Sequence, residues 1–365
     1  MLKKFIVTNF KNFKTRTELD LSKPLHFEFN EHLIKDNCIK TGVFYGINGS
    51  GKSNLGLAIF DIVIHLTDNE KMLDKYLYYL NLSSNKPTAD FEYYFSFSGH
   101  ELIYKYSKKD AQTLTNEIVI IDGNEVINYN YDSNNGYVSL EGAESLKLKT
   151  DSNISRVKYI MNSSLLVDNE QNKVFNDFSY FVNHMLLFYS LQQNRYQGLV
   201  SGIEDITQGI IKKNKVKEFE IFLKQQDINY DLDVVDNLGQ KILVVKFGNK
   251  MGEFSRIAST GTMSMTLFYY WYIRMQETSF VFMDEFDAFY HFELSQDILK
   301  TVSLLKAQVL LTTHNTDLLS NDILRPDCYF HIENNKINAL VNLTDKELRK
   351  AHNLQKMYKA GCFSG

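Results

Sequence analysis

Gly46-Ile47-Asn48-Gly49-Ser50-Gly51-Lys52-Ser53 is the stretch that decides the fold of this chain. It has the spacing GxxxxGK[ST], and its surroundings give the pattern meaning. An apolar, β-prone run from Thr41 to Tyr45 precedes it, and Asn54 to Leu66 follows with Leu55, Ile59, Ile62, Val63 and Leu66 at helical spacing. Glycines at 46, 49 and 51 permit a backbone nest whose N–H groups face an anion, and the start of the following helix adds the positive end of its dipole. In a loop of this kind Lys52 reaches the β and γ oxygens of a nucleotide, Asn48, Ser50 and Asn54 flank the phosphates, and Ser53 ligates Mg²⁺.

Further along, Ser279 to Met283 is a short apolar run of the type that forms a buried parallel strand, and it ends in Asp284-Glu285. The carboxyl ends of such strands are where α/β sheets place their ligands. Asp284 is therefore expected to hold Mg²⁺ and Glu285 to orient and deprotonate a water. Another strand, Gln308 to Leu311, runs into Thr312-Thr313-His314-Asn315, which puts His314 one helix-strand unit after Glu285 as a hydrogen-bond donor to a γ-phosphate. Ala258-Ser259-Thr260-Gly261-Thr262 precedes an aromatic helix containing Phe268 to Tyr272, and Ser259 with Gly261 reads either as an anion cradle or as a plain N-cap.

The remaining text frames these motifs. Lys4 to Phe10 and Leu25 to Phe29 read as strands near the start. From about Ala89 to Leu148, short β-type segments alternate with Ser-Gly, Asp-Gly and Asn-Asn-Gly turns, an antiparallel meander. Residues 165 to 226 read as helical, with Phe178, Phe181, Val182, Met185 and Leu186 on one apolar stripe and Val216, Phe219, Phe222 and Leu223 on another. Tyr230 to Val235 and Lys241 to Phe247 flank Asp236-Asn237-Leu238-Gly239 as a hairpin. The expected organisation is a core of residues 1–66 and 250–365, an antiparallel β subregion over 67–165, and a helical insertion with a hairpin over 166–249. No heptad run of coiled-coil length is present.

Composition narrows the function classes. With 365 residues, 44% hydrophobic and 23% charged, the chain has ample material for a large packed core and no resemblance to disordered chains. Cys38, Cys328 and Cys362 are three cysteines without CxxC spacing, which suits a reducing cytoplasm and buried thiols rather than a zinc module. The N-terminus lacks a signal-peptide pattern and no apolar stretch reaches transmembrane length, so no membrane partner is expected. Forty basic against 44 acidic residues, a formal charge of −4, make no global electrostatic case for nucleic-acid binding, and a local patch stays open.

Order and spacing together resemble the ABC-type ATPase heads: phosphate loop, long insertion, Ser-x-Gly before a helix, apolar strand ending in Asp-Glu, then His after the next strand. The closer likeness is to the RecF/SMC/OLD-type ATPases, and within them to the stand-alone ATPase subunits of prokaryotic anti-phage systems (RloA- and AbiLi-like proteins and the ATPase of PARIS systems). It rests on Phe5 to Phe13, Gly42 to Leu55, Leu310 to Asn315 and Lys356 to Phe363. The resemblance implies an α/β, ABC-type P-loop ATPase head with a mixed sheet, using ATP and Mg²⁺. It makes Ser259 and Gly261 the signature loop that meets the nucleotide of an opposing protomer, hence a homodimer or higher homo-oligomer with ATP sandwiched between heads. It also implies abortive-infection antiviral defence exerted through a separate effector, a nuclease or toxin, since only about fifty residues follow His314.

His291 stands where transporter ATPases carry an aspartate, and Asp284-Glu285-Phe286-Asp287 replaces their Asp-Glu-Pro, which argues against a transporter subunit. Gln192 and Gln193 are the compositional candidates for the glutamine loop. Lys11 and Asn12 either approach the nucleotide or form a solvated turn. The alternative function is a RecF-like DNA-binding repair ATPase, which strong salt dependence of DNA binding would distinguish.

Overall fold

Runs of apolar residues without alternation form the centre of the chain, because a parallel strand covered by helices on both faces has no side to show to water. The computed structural model describes residues 1–143, 154–163, 166–190, 195–200, 204–288 and 290–363. Its central sheet has seven strands in the order Tyr196–Gly198, Met185–Tyr189, Phe280–Asp284, Gln308–Thr312, Thr41–Tyr45, Tyr329–Glu333 and Lys336–Ala339. The five inner strands run parallel and the two edges pair antiparallel. Every residue of Met185–Tyr189, Phe280–Asp284, Gln308–Thr312 and Thr41–Tyr45 is buried.

A second seven-stranded sheet is antiparallel throughout, in the order Asn135–Val138, Asn124–Asn130, Leu114–Ile121, His100–Lys108, Ala89–Phe97, Leu2–Thr8 and Thr17–Asp20. Burial alternates along Ala89–Phe97, the period-two signature of a sheet with one covered face. Gln308 joins the two sheets. Its amide donates to the carbonyls of Leu2 and Ile39, each at 2.9 Å, and its side-chain oxygen accepts the Leu2 N–H at 3.0 Å. Its complete burial is thus matched by satisfied polar atoms.

Four expectations change here. Met185 and Leu186 do not continue a helical stripe: the helix Glu170–Asn183 ends, and Met185–Tyr189 enters the central sheet beside Phe280–Asp284. A short unbroken apolar run carries no period, so only its partner strand reveals what it is. The insertion therefore returns two strands to the core rather than standing outside it. Leu2–Thr8, assigned to the core, belongs to the antiparallel sheet. Among the described residues Leu25 to Phe29 pairs with no strand, and Leu25 is held instead by Asp327 and Arg325. The expected helix from Asn54 to Leu66 is two, Lys52–Ile59 and Asp61–Leu66, divided at Phe60. The expected hairpin is present as Leu232–Asn237 and Gln240–Phe247, extended to a three-stranded sheet by Lys250–Glu253. Among the described residues no helix is long and apolar enough to cross a membrane.

Candidate functional site

The buried strand Thr41–Tyr45 delivers the chain to the phosphate loop at the carboxyl edge of the central sheet, and the helix Lys52–Ile59 leaves from it. Gly49 and Gly51 sit at φ 79° and 110°, the left-handed side of backbone space that side chains disfavour. A Cβ at Gly51 would also collide with the Asn12 amide, and one at Gly46 would lie 2.6 Å from the Ile332 carbonyl. Lys52 is 5% exposed, and its ammonium donates to the carbonyls of Gly46 at 2.8 Å and Ile47 at 3.3 Å. Burial lowers its pKa, while the Glu285 and Asp284 carboxylates pull it upward.

Asn12 settles beside this loop and Lys11 does not. The Asn12 amide donates to the Ser50 carbonyl at 3.3 Å and its oxygen accepts from Asn54 at 2.7 Å. The Lys11 ammonium is held on the Leu77 carbonyl at 2.9 Å.

Asp284 closes its strand in a buried position, and its Oδ1 accepts the Thr312 hydroxyl at 2.7 Å. Burial raises the Asp284 pKa, against hydrogen bonds from Ser53 and Thr312 and the charge of Lys52. The next residue, Glu285, takes φ 47°, a left-handed conformation costing a non-glycine residue roughly 1–3 kcal/mol. Its N–H donates to the Thr312 hydroxyl at 2.8 Å. That turn aims the Glu285 side chain so that Oε1 stands 3.7 Å from His314 Nε2, both groups partly open to solvent. Beyond it, the Thr313 hydroxyl donates to Asp287 Oδ2 at 2.7 Å and accepts the Asn315 N–H at 2.9 Å. Burial raises the Asp287 pKa, opposed first by that Thr313 bond.

Three adjacent parallel strands, Phe280–Asp284, Gln308–Thr312 and Thr41–Tyr45, thus bring together residues separated by more than two hundred positions in sequence: Lys52, Ser53, Asp284, Glu285 and His314. Sequence reasoning missed Thr312, Thr313 and Asp287. The available signal was a pair of threonines ending an otherwise apolar buried run.

Ser259 is exposed and Gly261 partly exposed. Ser259 caps the helix Thr260–Met275, accepting the Thr262 N–H at 3.1 Å and sharing a 2.9 Å hydrogen bond with the Thr262 hydroxyl. The plain cap is therefore present, and among the described residues no hydrogen bond links Ser259 to the phosphate loop. Tyr290 connects this helix to the loop after Glu285 by donating to the Ser264 carbonyl at 3.0 Å. His291 is the N-cap of the helix Phe292–Ser303, its Nδ1 accepting the Leu294 N–H at 3.2 Å. Gln192 and Gln193 fall outside the described residues.

The loop, with glycines where a Cβ would collide and a sequestered ammonium, fits a nucleotide's phosphates. Among the described residues no group of three or more His, Cys, Asp or Glu is arranged to hold a metal by itself. Ser53 and Asp284 offer one hydroxyl and one carboxylate, the sparse oxygen set of Mg²⁺ sites completed by phosphate and water.

Residues 43–320 match the family model described as "AAA domain, putative AbiEii toxin, Type IV TA system". Among solved structures, the SMC head domain from Thermotoga maritima is 15% identical, with 92% of this chain and 97% of that chain covered and a TM-score of 0.43. An SMC head bound to the C-terminal winged-helix domain of ScpA is 13% identical, covering 92% and 96%, with a TM-score of 0.47. The recombination mediator RecF with ATP is 12% identical, covering 93% and 99%, with a TM-score of 0.39. No curated protein matches the chain.

Proposed function

The chain belongs to the AAA-domain family whose model spans residues 43–320, and from that premise we propose that it binds and hydrolyses ATP as the regulatory subunit of a prokaryotic anti-phage system. The observation that carries the ATPase part is the convergence of Lys52, Ser53, Asp284, Glu285 and His314 at the carboxyl edge of one parallel sheet. The family description, with its words "putative AbiEii toxin" and "Type IV TA system", supports the defence part.

In this reading the glycine loop and Lys52 bind the phosphates, and Ser53 and Asp284 are the protein ligands of Mg²⁺, which supplies charge neutralisation when bound. Glu285 takes a proton from the attacking water, and His314 donates a hydrogen bond at the γ end and orients Glu285. Ser259 and Gly261 present the start of their helix to the nucleotide of a second copy, so the closed state is a homodimer or larger assembly. An effector on a separate protein then reads the nucleotide state.

Lys52→Ala tests the first step. Removing the ammonium is expected to weaken ATP binding by roughly 10- to 100-fold, the worth of a hydrogen bond to a charged group. Titration with a fluorescent ATP analogue measures it, and unchanged affinity would contradict the phosphate-loop assignment. Ser259→Arg tests the second. It is expected to leave ATP affinity intact while suppressing hydrolysis and ATP-dependent association, and a variant that hydrolyses at the normal rate removes Ser259 from the signature role.

A further inference from the structure

We infer that Thr312 is a positioning residue for both carboxylates of the site, an inference resting on the ATPase reading above. Thr312 is fully buried at the end of the strand Gln308–Thr312, next to the strand that carries Asp284. A threonine hydroxyl has one proton to donate and lone pairs to accept with. Here its proton goes to Asp284 Oδ1 at 2.7 Å and its lone pair takes the Glu285 N–H at 2.8 Å. An ionised carboxylate only accepts and a backbone N–H only donates, so this assignment of the hydroxyl rotor is unique. The Thr312 carbonyl adds a third tie, accepting the Phe286 N–H at 3.2 Å.

These three bonds surround the one residue of the site whose backbone is left-handed without being glycine, Glu285 at φ 47°. The conformation persists only while neighbours over-determine it. Thr312 does so from one side chain and one carbonyl, and the same hydroxyl sets the direction in which Asp284 faces Ser53. The distance between the Mg²⁺ ligand and the water-activating carboxylate therefore depends on a hydroxyl bonded to Asp284 Oδ1 and to the Glu285 N–H. Such supporting groups matter because a reacting constellation tolerates displacements of only a fraction of an ångström. Thr313 repeats the pattern one residue later on Asp287, without reaching Asp284 or Glu285.

The test compares Thr312→Val, which keeps shape and loses the hydroxyl, with Thr312→Ser, which keeps the hydroxyl. Phosphate release gives kcat and KM, and a fluorescent ATP analogue is titrated in EDTA and again across Mg²⁺ concentrations. Thr312→Val is expected to lose on the order of 10- to 100-fold in kcat, to need on the order of 10- to 100-fold more Mg²⁺, or both, as variants lacking supporting hydrogen-bond partners of metal sites do. Its KM and its binding in EDTA should stay within about threefold of the parent, and Thr312→Ser should recover most of the loss. If Thr312→Val does not fold, as judged by thermal unfolding, Thr312→Ala against Thr312→Ser makes the same comparison. Wild-type kcat and wild-type Mg²⁺ requirement in the hydroxyl-free variant overturn the inference, as does equal impairment of the Ser variant. A parent protein that turns over while the hydroxyl-free variant matches it sinks the inference alone. A parent that binds Mg-ATP without turnover sinks the hydrolysis reading, and the Mg²⁺ titration then decides for Thr312. A parent that binds no nucleotide overturns both.

Discussion

Replacing Glu285 by Gln is expected to leave ATP binding intact and to slow phosphate release by roughly 10²- to 10⁴-fold, the range that general-base catalysis contributes. The side chains are nearly isosteric, so the left-handed turn, the bond from its N–H to Thr312 and the Lys52 contacts with the loop should survive. What is lost is the proton acceptor and one negative charge beside His314. On the proposed ATPase reading both losses favour the ATP state: the base no longer activates water, and the γ-phosphate no longer faces a carboxylate. Solution mass with and without Mg-ATP, measured beside phosphate release, reads the consequence. A rise in mass with ATP supports heads that close over nucleotide and makes Ser259→Arg the decisive second variant. A large constant mass indicates an assembly that exists before nucleotide arrives. A constant monomer mass removes the sandwich, and unchanged hydrolysis removes Glu285 from the role of base.

The second large effect is on stability. Asp61 follows the phosphate-loop helix and pairs with Lys108 of the antiparallel sheet at 2.7 Å, both side chains fully buried. Tyr79 and Tyr106 each donate to the Asp61 carboxylate at 2.9 Å, and Lys108 also donates to the Ala111 carbonyl at 3.1 Å. Burial raises the Asp61 pKa and lowers that of Lys108, each opposed by the partner's charge. Lys108→Met should therefore cost about 3–5 kcal/mol, the penalty for leaving a buried charge uncompensated. For a chain of 365 residues that corresponds to a drop in thermal midpoint of about 4–7 °C.

The deficit should also depend on pH with a definite sign. Without Lys108 the folded chain binds the Asp61 proton more tightly than the unfolded chain does. The protonated form then contributes stability that is complete below the unfolded carboxyl pKa and lost as pH rises through the raised folded value. The gap between Lys108→Met and the parent should accordingly narrow from pH 8 to pH 5 in chemical denaturation. An unchanged midpoint at pH 7 would show that the pair is dispensable. The double variant Asp61→Asn with Lys108→Met should recover part of the loss, since neither partner then carries an unpaired charge.

This buried pair shows where sequence reading stops. Asp61 and Lys108 are 47 positions apart in unrelated elements, and nothing in either local context marks them as partners. The same holds for Thr312. In sequence it is the first of two threonines before a histidine, and only strand pairing puts its hydroxyl between the Asp284 carboxylate and the Glu285 N–H. Met185 to Tyr189 was misread for a related reason: five consecutive apolar residues have no period, and a strand covered on both faces looks like a helix interior until its neighbour is known.

By itself the sequence determined the parts whose chemistry is local. The phosphate loop follows from glycines at fixed offsets and a lysine at a helix start; Asp284-Glu285 and His314 follow from polar residues ending buried apolar strands; the antiparallel meander follows from period-two text between turn residues. Tertiary structure alone decided which strands neighbour one another, and therefore which distant polar groups meet. Strand order, the return of residues 185–189 and 196–198 to the central sheet, the Asn12 contact with the loop and the Thr312 hydroxyl between Asp284 and Glu285 all belong to that second class. The physical reason is that helix starts, turns and alternation are dictated within a few residues by backbone sterics and solvent, whereas strand pairing is selected by burial summed over the whole chain.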